Sequence, residues 1–360
     1  MKAIKKVVEL ILSYRFVRTV LKLINRCIAS FCSTTYLFSI PYHWVAFFSY
    51  MREQRAVLRG RARYYAQLGV SRSSRAELRR NIHRIEKGLL MRPRREMFAR
   101  SYILETVEWY RDAVRDLSSE ETVDEDSELV WAENVLRKYF EVVTDNKLTI
   151  RARELFQSME LVFVPRANDH FPKPRLYCGE LPTIEEFESL CQYRRSVRWY
   201  EEKSVERDII DRALMVARQS PSACNRLPYQ FRIFDEPELA RRIASIPFGT
   251  NGYADNVPAI AVVIGKLDSY FSSRDRHVVY IDSSLAAMSF IYALELLGVS
   301  SCVINWPDFE PLEMKMQREL NLDFSDRVIM LIAFGYADPS EEVAYSQKKP
   351  LTDIRRYNFE

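Results

Sequence analysis

Three guanidinium groups and a hydroxyl fall within five residues at Arg194-Arg195-Ser196-Val197-Arg198. A guanidinium is a planar fork of donors that matches the oxygens of a phosphate two at a time. A serine between such forks adds one more donor. These residues can build a phosphate site from side chains; a solvated basic turn is the other reading. A second stretch, Ser220-Pro221-Ser222-Ala223-Cys224-Asn225-Arg226-Leu227-Pro228-Tyr229, follows the next helical pattern. Its two prolines restrict the backbone, and Asn225 brings a donor and an acceptor. His83 and Glu86, three apart on a helical pattern, can form an acid/base pair or a surface hydrogen bond.

Local sequence places these residues on elements. Thr183 and Glu186 make a capping box for a helix over 184–193, which delivers the chain into the arginine cluster. Ser204 can cap a helix over 205–219. Strands are expected at 229–234, 258–265, 301–305 and 328–336, with helices at 236–244, 282–297 and 310–320. The 282–297 helix has almost no charge and should be central. Further helices are expected near 74–90, 97–116, 128–143 and 149–159. Ser74 and Glu77 form a capping box there, and Gly88 stands as a C-cap. The acidic run 118–126 reads as a solvated loop, and 165–182, with four prolines, as a linker. The expected division is 1–70, a basic and aromatic segment; 71–180, a helical domain; and 181–360, the domain that carries both motifs.

With only 9 glycines and no GxGxxG or Walker-type loop, a backbone cradle for phosphate is not expected. The six cysteines form no CxxC pair and the four histidines are scattered. Reduced thiols, a cytoplasmic setting and no metal site follow. Cys224 is read as a small packing residue.

Charge is unevenly spread. Residues 1–100 hold 22 Lys and Arg against 5 Asp and Glu, whereas the rest holds 31 against 44. An anionic surface is the natural partner of such an N-terminal part: phospholipid, nucleic acid or the chain's own acidic half. No finger or RNP-type motif is present and the aromatics do not interleave with the arginines, so no nucleic acid is expected. Residues 2–26 read as a basic amphipathic helix. From Cys27 to Met51 there is no Asp, Glu, Lys or Arg. Pro41 and several hydroxyl residues break that run, which argues against a membrane span. Two readings stay open: an interfacial segment on an anionic membrane, and a helical hairpin packed on the protein.

Together the two motifs resemble the FMN-dependent nitroreductase family. Its members have an RRSxR-type segment, an SPSxxNxQPW-type segment about thirty residues later, and a late strand ending in Gly-Tyr, here Gly335-Tyr336. The resemblance covers about 181–357. It implies an α+β fold, with a mixed, largely antiparallel sheet flanked by helices and preceded by a mostly helical N-terminal region. It also implies an intertwined homodimer with FMN at the subunit interface. Residue by residue, it implies phosphate and ribityl contacts at Arg194, Arg195 and Ser196, and a cation beside the flavin's pyrimidine edge at Arg198. Asn225, Pro221 and Ser222 would meet the ring, the backbone of Ile304 and Asn305 would approach its reactive nitrogen, and Ser346 and Lys348 would form a late phosphate contact. The chemistry would be flavin-borne, with NAD(P)H as donor and a small organic molecule as acceptor. Leu227 stands where the family often has glutamine, and Asn305-Trp306 where a small or acidic pair is usual. A specialised dehydrogenase or dehalogenase reaction and a membrane-surface scaffold with a degenerate site are the alternatives.

Overall fold

The computed structural model describes residues 14–46, 50–67, 75–116, 128–159, 172–175 and 181–358. The chain divides into two compact units, Met1–Arg55 with Asp308–Glu310, and Ala56–Pro307 with Pro311–Glu360. Ser74, the 118–126 run and most of the 165–182 linker lie outside the described residues.

In the first unit, α1 (Arg15–Cys32) and α2 (Tyr36–Ala46) form a hairpin, with the Phe31 and Phe38 rings 4.7 Å apart. Arg52 pairs with Glu310. Helix α3 (Met51–Gln67) carries the chain onward.

In the second unit, α4 (Ala76–Leu90), α5 (Ile103–Arg115), α6 (Glu128–Val142) and α7 (Lys147–Gln157) surround one core. Ile82, Ile85, Ile103, Val107, Leu136 and Tyr139 are fully buried there. Asn146 caps α7, accepting from the N–H groups of Leu148 and Thr149. The Ser74–Glu77 capping box falls on a residue outside those described; Glu77 pairs with Arg80. One local expectation fails. Gly88 lies inside α4 and is not its C-cap. A Cβ there would sit 2.3 Å from the Phe98 ring, so close approach by an aromatic, not helix termination, requires the glycine.

The remaining elements are α8 (Ile184–Tyr193), α9 (Arg207–Ala217), β1 (Tyr229–Phe234), α10 (Pro237–Ala244), β2 (Ala259–Lys266), α11 (Val278–Leu296), β3 (Ser300–Asn305), α12 (Glu310–Leu320) and β4 (Asp326–Gly335). The sheet order is β1-β2-β4-β3 and all three ladders are antiparallel. Parallel character enters at one bridge, Ser196 to Ser301. The α+β expectation holds, as does the Thr183–Glu186 capping box of α8. The cap expected at Ser204 does not form. Val205 is drawn into the core, and Glu206 takes the N-cap position of α9, accepting from the Tyr336 hydroxyl at 2.8 Å.

Strand β2 is buried on both faces, and its alternation sorts the layers. Ile260, Val262 and Ile264 face α10 and α12 through Ile243, Met316 and Leu320. Ala259, Ala261 and Val263 face α9 and α11 through Ala213, Phe290 and Leu294. Helix α11 is central on one side only: Ile281, Leu285, Met288 and Leu296 leave an apolar stripe in solvent. Among the described residues, one helix, within 273–296, is long and apolar enough to cross a membrane; half of it is buried against the sheet.

Candidate functional site

The arginine segment leaves α8 and runs beside β3. The Val197 N–H donates to the Ser301 carbonyl at 3.1 Å, and Val197 and Tyr200 anchor the segment in the core. Arg194 and Arg195 are half-buried on this segment and Arg198 is exposed. Arg195 donates to the Arg194 carbonyl, and Arg198 to the Ser196 carbonyl at 3.3 Å. The Arg198 guanidinium stands 5.8 Å from the Tyr253 ring centroid. Burial pushes the Tyr253 hydroxyl up to about 12.

Among the described residues, none of these three guanidinium groups is in an ion pair, and the Ser196 hydroxyl has no hydrogen bond. The contrast with α3 is direct. Arg63 reaches Asp268 and Asp323, and Arg59 reaches Asp323. Part of the N-terminal basic excess is thus neutralised by the chain's own acids. In the arginine segment Arg194, Arg195 and Ser196 are half-buried and Arg198 is exposed, a donor set whose chemistry is compatible with a phosphate group.

A cavity of about 220 Å³ opens beside it, lined by Arg195, Arg198, Trp199, Glu295, Ser300 and Asp338 among others. Burial raises the Glu295 carboxyl above its usual range, against the Ser300 hydroxyl and Arg194, which favour the ionised form. The residues that follow Asp338 contribute Glu341, Glu342 and Val343 to the same wall. Ser346 and Lys348 lie further along, exposed and outside the cavity lining. Ser346 takes a left-handed φ of 52°. At the far end of β3, the Ile304 side chain is buried in the core and Asn305 is exposed. Backbone and the exposed Val303 and Asn305 side chains are therefore presented there. Trp306 is buried and donates to Glu313 at 2.9 Å.

The second motif makes a tight turn at the other end of α11. Cys224, Asn225 and Leu227 have φ of 55°, 51° and 49°. Asparagine tolerates that region; cysteine and leucine are strained in it. Several bonds hold the turn. The Ala223 N–H donates to Asp282 Oδ2 at 3.0 Å, and the Leu227 N–H to Ser222 Oγ at 3.0 Å. The Asn225 N–H donates to the Ser222 carbonyl, and Arg79 Nε of α4 donates to the Asn225 carbonyl at 2.9 Å. Pro221 is exposed on the same turn, and the Asn225 amide side chain bonds no described residue. Burial raises the Asp282 carboxyl, with Arg226 and the turn's N–H opposing. Arg226 lies over the Tyr270 ring at 5.2 Å.

The sequence motifs did not reveal Arg79, Asp282 or Tyr270, and they gave Arg226, inside the second motif, no role. One signal was available: Asp282 is one of two charges in an otherwise apolar helix. His83 and Glu86 do pair, at 3.2 Å, and the second Glu86 oxygen accepts from Trp131 at 3.3 Å. The pair thereby links α4 to α6.

One chain does not bring its two motifs together. The arginine segment lies near Glu295 and the Asn225 turn near Asp282, thirteen residues apart on α11. At 1.5 Å per residue that is about 20 Å.

Comparison with known proteins agrees with the motif reading. The profile of the Nitroreductase family matches residues 191–263 and 245–336, which hold both motifs and the Ile304-Asn305 pair but not Ser346 or Lys348. Human iodotyrosine deiodinase 1 is 21% identical over 219 residues, covering 53% of this chain and 73% of that protein. An Archaeoglobus fulgidus protein, named provisionally as an NADH dehydrogenase/NAD(P)H nitroreductase, is 26% identical over 161 residues, covering 44% of this chain and 88% of its own length. The solved structure of an FMN-dependent nitroreductase from Clostridium difficile R20291 aligns with a TM-score of 0.41 at 22% identity, covering 47% of this chain and 98% of that one.

Proposed function

We propose that this chain, whose C-terminal half belongs to the nitroreductase family, is an FMN-dependent oxidoreductase that passes electrons from NAD(P)H to a small organic acceptor. The observation that carries this reading is the arginine segment: three guanidinium groups, none in an ion pair among the described residues, around a serine hydroxyl with no hydrogen bond there, inside the matched region. When bound, FMN supplies the hydride chemistry. The chain's own residues bind and orient. Arg194, Arg195 and Ser196 hold the phosphate and ribityl end, with Ser346 and Lys348 as a late phosphate contact. Arg198 places positive charge at the pyrimidine edge. The backbone of Ile304 and Asn305 bounds the reacting face, and the buried Ile304 side chain fixes that backbone in place.

The working form we infer is a homodimer. Pro221, Ser222 and Asn225 of one copy would meet the FMN held by the arginine segment of the other. Three observations support this: the separation of the motifs by about 20 Å along α11, the apolar stripe of Ile281, Leu285 and Met288, and a one-chain cavity of about 220 Å³. That volume falls short of the roughly 300–1,000 Å³ usual for cofactor pockets. The test is the absorption spectrum of purified protein with and without NAD(P)H. A flavin spectrum that bleaches with NAD(P)H is expected. In Arg194→Ala/Ser196→Ala the flavin should be lost while the fold is kept, since each charge-assisted bond contributes about 1.5–3 kcal/mol. Full flavin retention in that variant would move the phosphate site elsewhere.

Reductive dehalogenation of an aromatic substrate is a second reading. The likeness to a protein named iodotyrosine deiodinase supports it. Iodide release from 3-iodotyrosine, set beside turnover of a quinone and a nitroaromatic, separates the two reactions.

A further inference from the structure

Helices α1 and α2 present a surface that the flavin chemistry does not use. Along α1, Arg15, Lys22 and Arg26 fall on one line, and all three are exposed. Among the described residues none of them is in an ion pair, unlike Arg52, Arg59 and Arg63 further on. Val20, Ile24, Ile28 and Phe31 occupy the opposite face of the same helix. Among the described side chains from 14 to 44 none is buried. Phe16 is 79% exposed, Phe31 60%, Leu37 77% and Trp44 60%. So many large apolar side chains exposed on one short hairpin mark a surface that something covers.

Charge identifies what covers it. No Asp or Glu occurs between Glu9 and Glu53. A second copy of this hairpin would bring its own cations against Arg15, Lys22 and Arg26. An anionic lipid leaflet offers negative charge at the level of a basic helix face and hydrocarbon below the apolar face. The hydroxyl residues do not oppose this. Thr19 donates to the Arg15 carbonyl, Ser33 to Ser30 and Thr34 to Phe31, so these groups are satisfied without water. Geometry excludes a span. Helix α2, with 11 residues, is about 16 Å long against a hydrocarbon core of about 30 Å. The basic line runs most of the length of α1, so crossing would bury Lys22.

We propose that α1 and α2 lie in the headgroup region of an anionic phospholipid membrane, with α1 parallel to its surface.

The test uses the full chain and sedimentation with vesicles of phosphatidylglycerol or phosphatidylcholine. Binding to phosphatidylglycerol is expected in about 0.1 M salt, where the screening length is about 10 Å, and loss of most of it in about 1 M salt, where it is about 3 Å. Arg15→Gln/Lys22→Gln/Arg26→Gln should weaken binding about 100-fold, roughly fivefold per charge. Ile24→Asp/Ile28→Asp should abolish it, and brominated lipid should quench tryptophan fluorescence in the parent but not in this variant. Circular dichroism and melting temperature of both variants report that the rest of the chain stays folded. Equal binding to the two lipids, or none to either, overturns the proposal. So does an Ile24→Asp/Ile28→Asp variant that still binds vesicles but changes oligomeric state, because the hairpin would then be covered by a second copy.

Discussion

The Arg79 guanidinium donates from Nε to the backbone carbonyl of Asn225 at 2.9 Å, joining α4 to a turn that lies 146 residues further along the chain. Its Nη1 reaches Glu128 Oε2 at 3.0 Å, and Arg75 takes the other oxygen of that carboxylate. Glu128 thus aims Arg79, and Arg79 holds a turn whose backbone is strained at Cys224 and Leu227. A short loop, 267–277, joins β2 to α11 and leaves little chain for a lid. Contact with the motif comes from the N-terminal helices instead.

Replacing Arg79 should therefore loosen the turn without touching the arginine segment. Arg79→Ala removes a charge-assisted bond that contributes about 1.5–3 kcal/mol. We expect faster amide exchange at Asn225 and Leu227, measured by mass spectrometry, and a five- to thirtyfold loss of FMN affinity by fluorescence titration, roughly 1–2 kcal/mol. Arg79→Lys should recover only part of this, because an ammonium lacks the planar fork that spans Asn225 and Glu128.

Asp282 secures the same turn from the opposite side, and its carboxyl is raised by burial. A carboxyl whose folded pKa exceeds its unfolded value contributes stability below the unfolded value, near 4, and loses it as pH rises through the folded value. Asp282→Asn keeps an acceptor for the Ala223 N–H and carries no charge. The stability of the variant relative to the parent should rise between pH 4 and pH 7 in urea unfolding. Asp282→Ala, which removes the acceptor, should be less stable than Asp282→Asn by about 1–3 kcal/mol. A difference between Asp282→Asn and the parent that is flat with pH would mean that the folded carboxyl titrates as it does in the unfolded chain.

Gly88 supplies a packing test. In a helix interior, Gly→Ala ordinarily stabilises by about 1 kcal/mol. Here the new methyl would meet Phe98 Cδ2 at 2.3 Å. Gly88→Ala should lower the melting temperature, at a net loss of about 1–2 kcal/mol. Gly88→Ala/Phe98→Leu should recover part of it. A stabilised single variant would show that the Phe98 ring turns aside freely.

What was legible in the sequence was local. The capping box of α8, the bounds of β1 and the apolar run of α11 depend on neighbours within a turn or a strand, and the structure has them where the pattern placed them. Ser204 and Gly88 were misread because tertiary contacts overrode local preference: Val205 is buried in the core, and Phe98 occupies the space a side chain would need. The motifs were visible as residue types, but their separation along α11 was not, since neither motif encodes the direction in which the helix between their contacts runs. Arg79 was hidden for the same reason. It is one arginine among many until the fold sets it against the Asn225 carbonyl.

Arg198 tests mechanism and not only binding. Its guanidinium is exposed, unpaired among the described residues, and held beside the Ser196 carbonyl near the Tyr253 ring. A cation at the pyrimidine edge favours the extra negative charge that two-electron reduction brings to the site. At about 4 Å and an effective dielectric near 20, the bare Coulomb energy is about 4 kcal/mol. Exposure and charge delocalisation reduce it to roughly 1–3 kcal/mol. About 30 mV corresponds to 1.4 kcal/mol for a two-electron couple, so Arg198→Met should lower the midpoint potential by roughly 20–65 mV with FMN retained. Reduction by NAD(P)H should slow in step, since its driving force falls. Coincident midpoints for parent and variant in a potentiometric titration would place Arg198 on the phosphate side or in a structural role, and the assignment of Arg194 and Arg195 within the segment would shift with it.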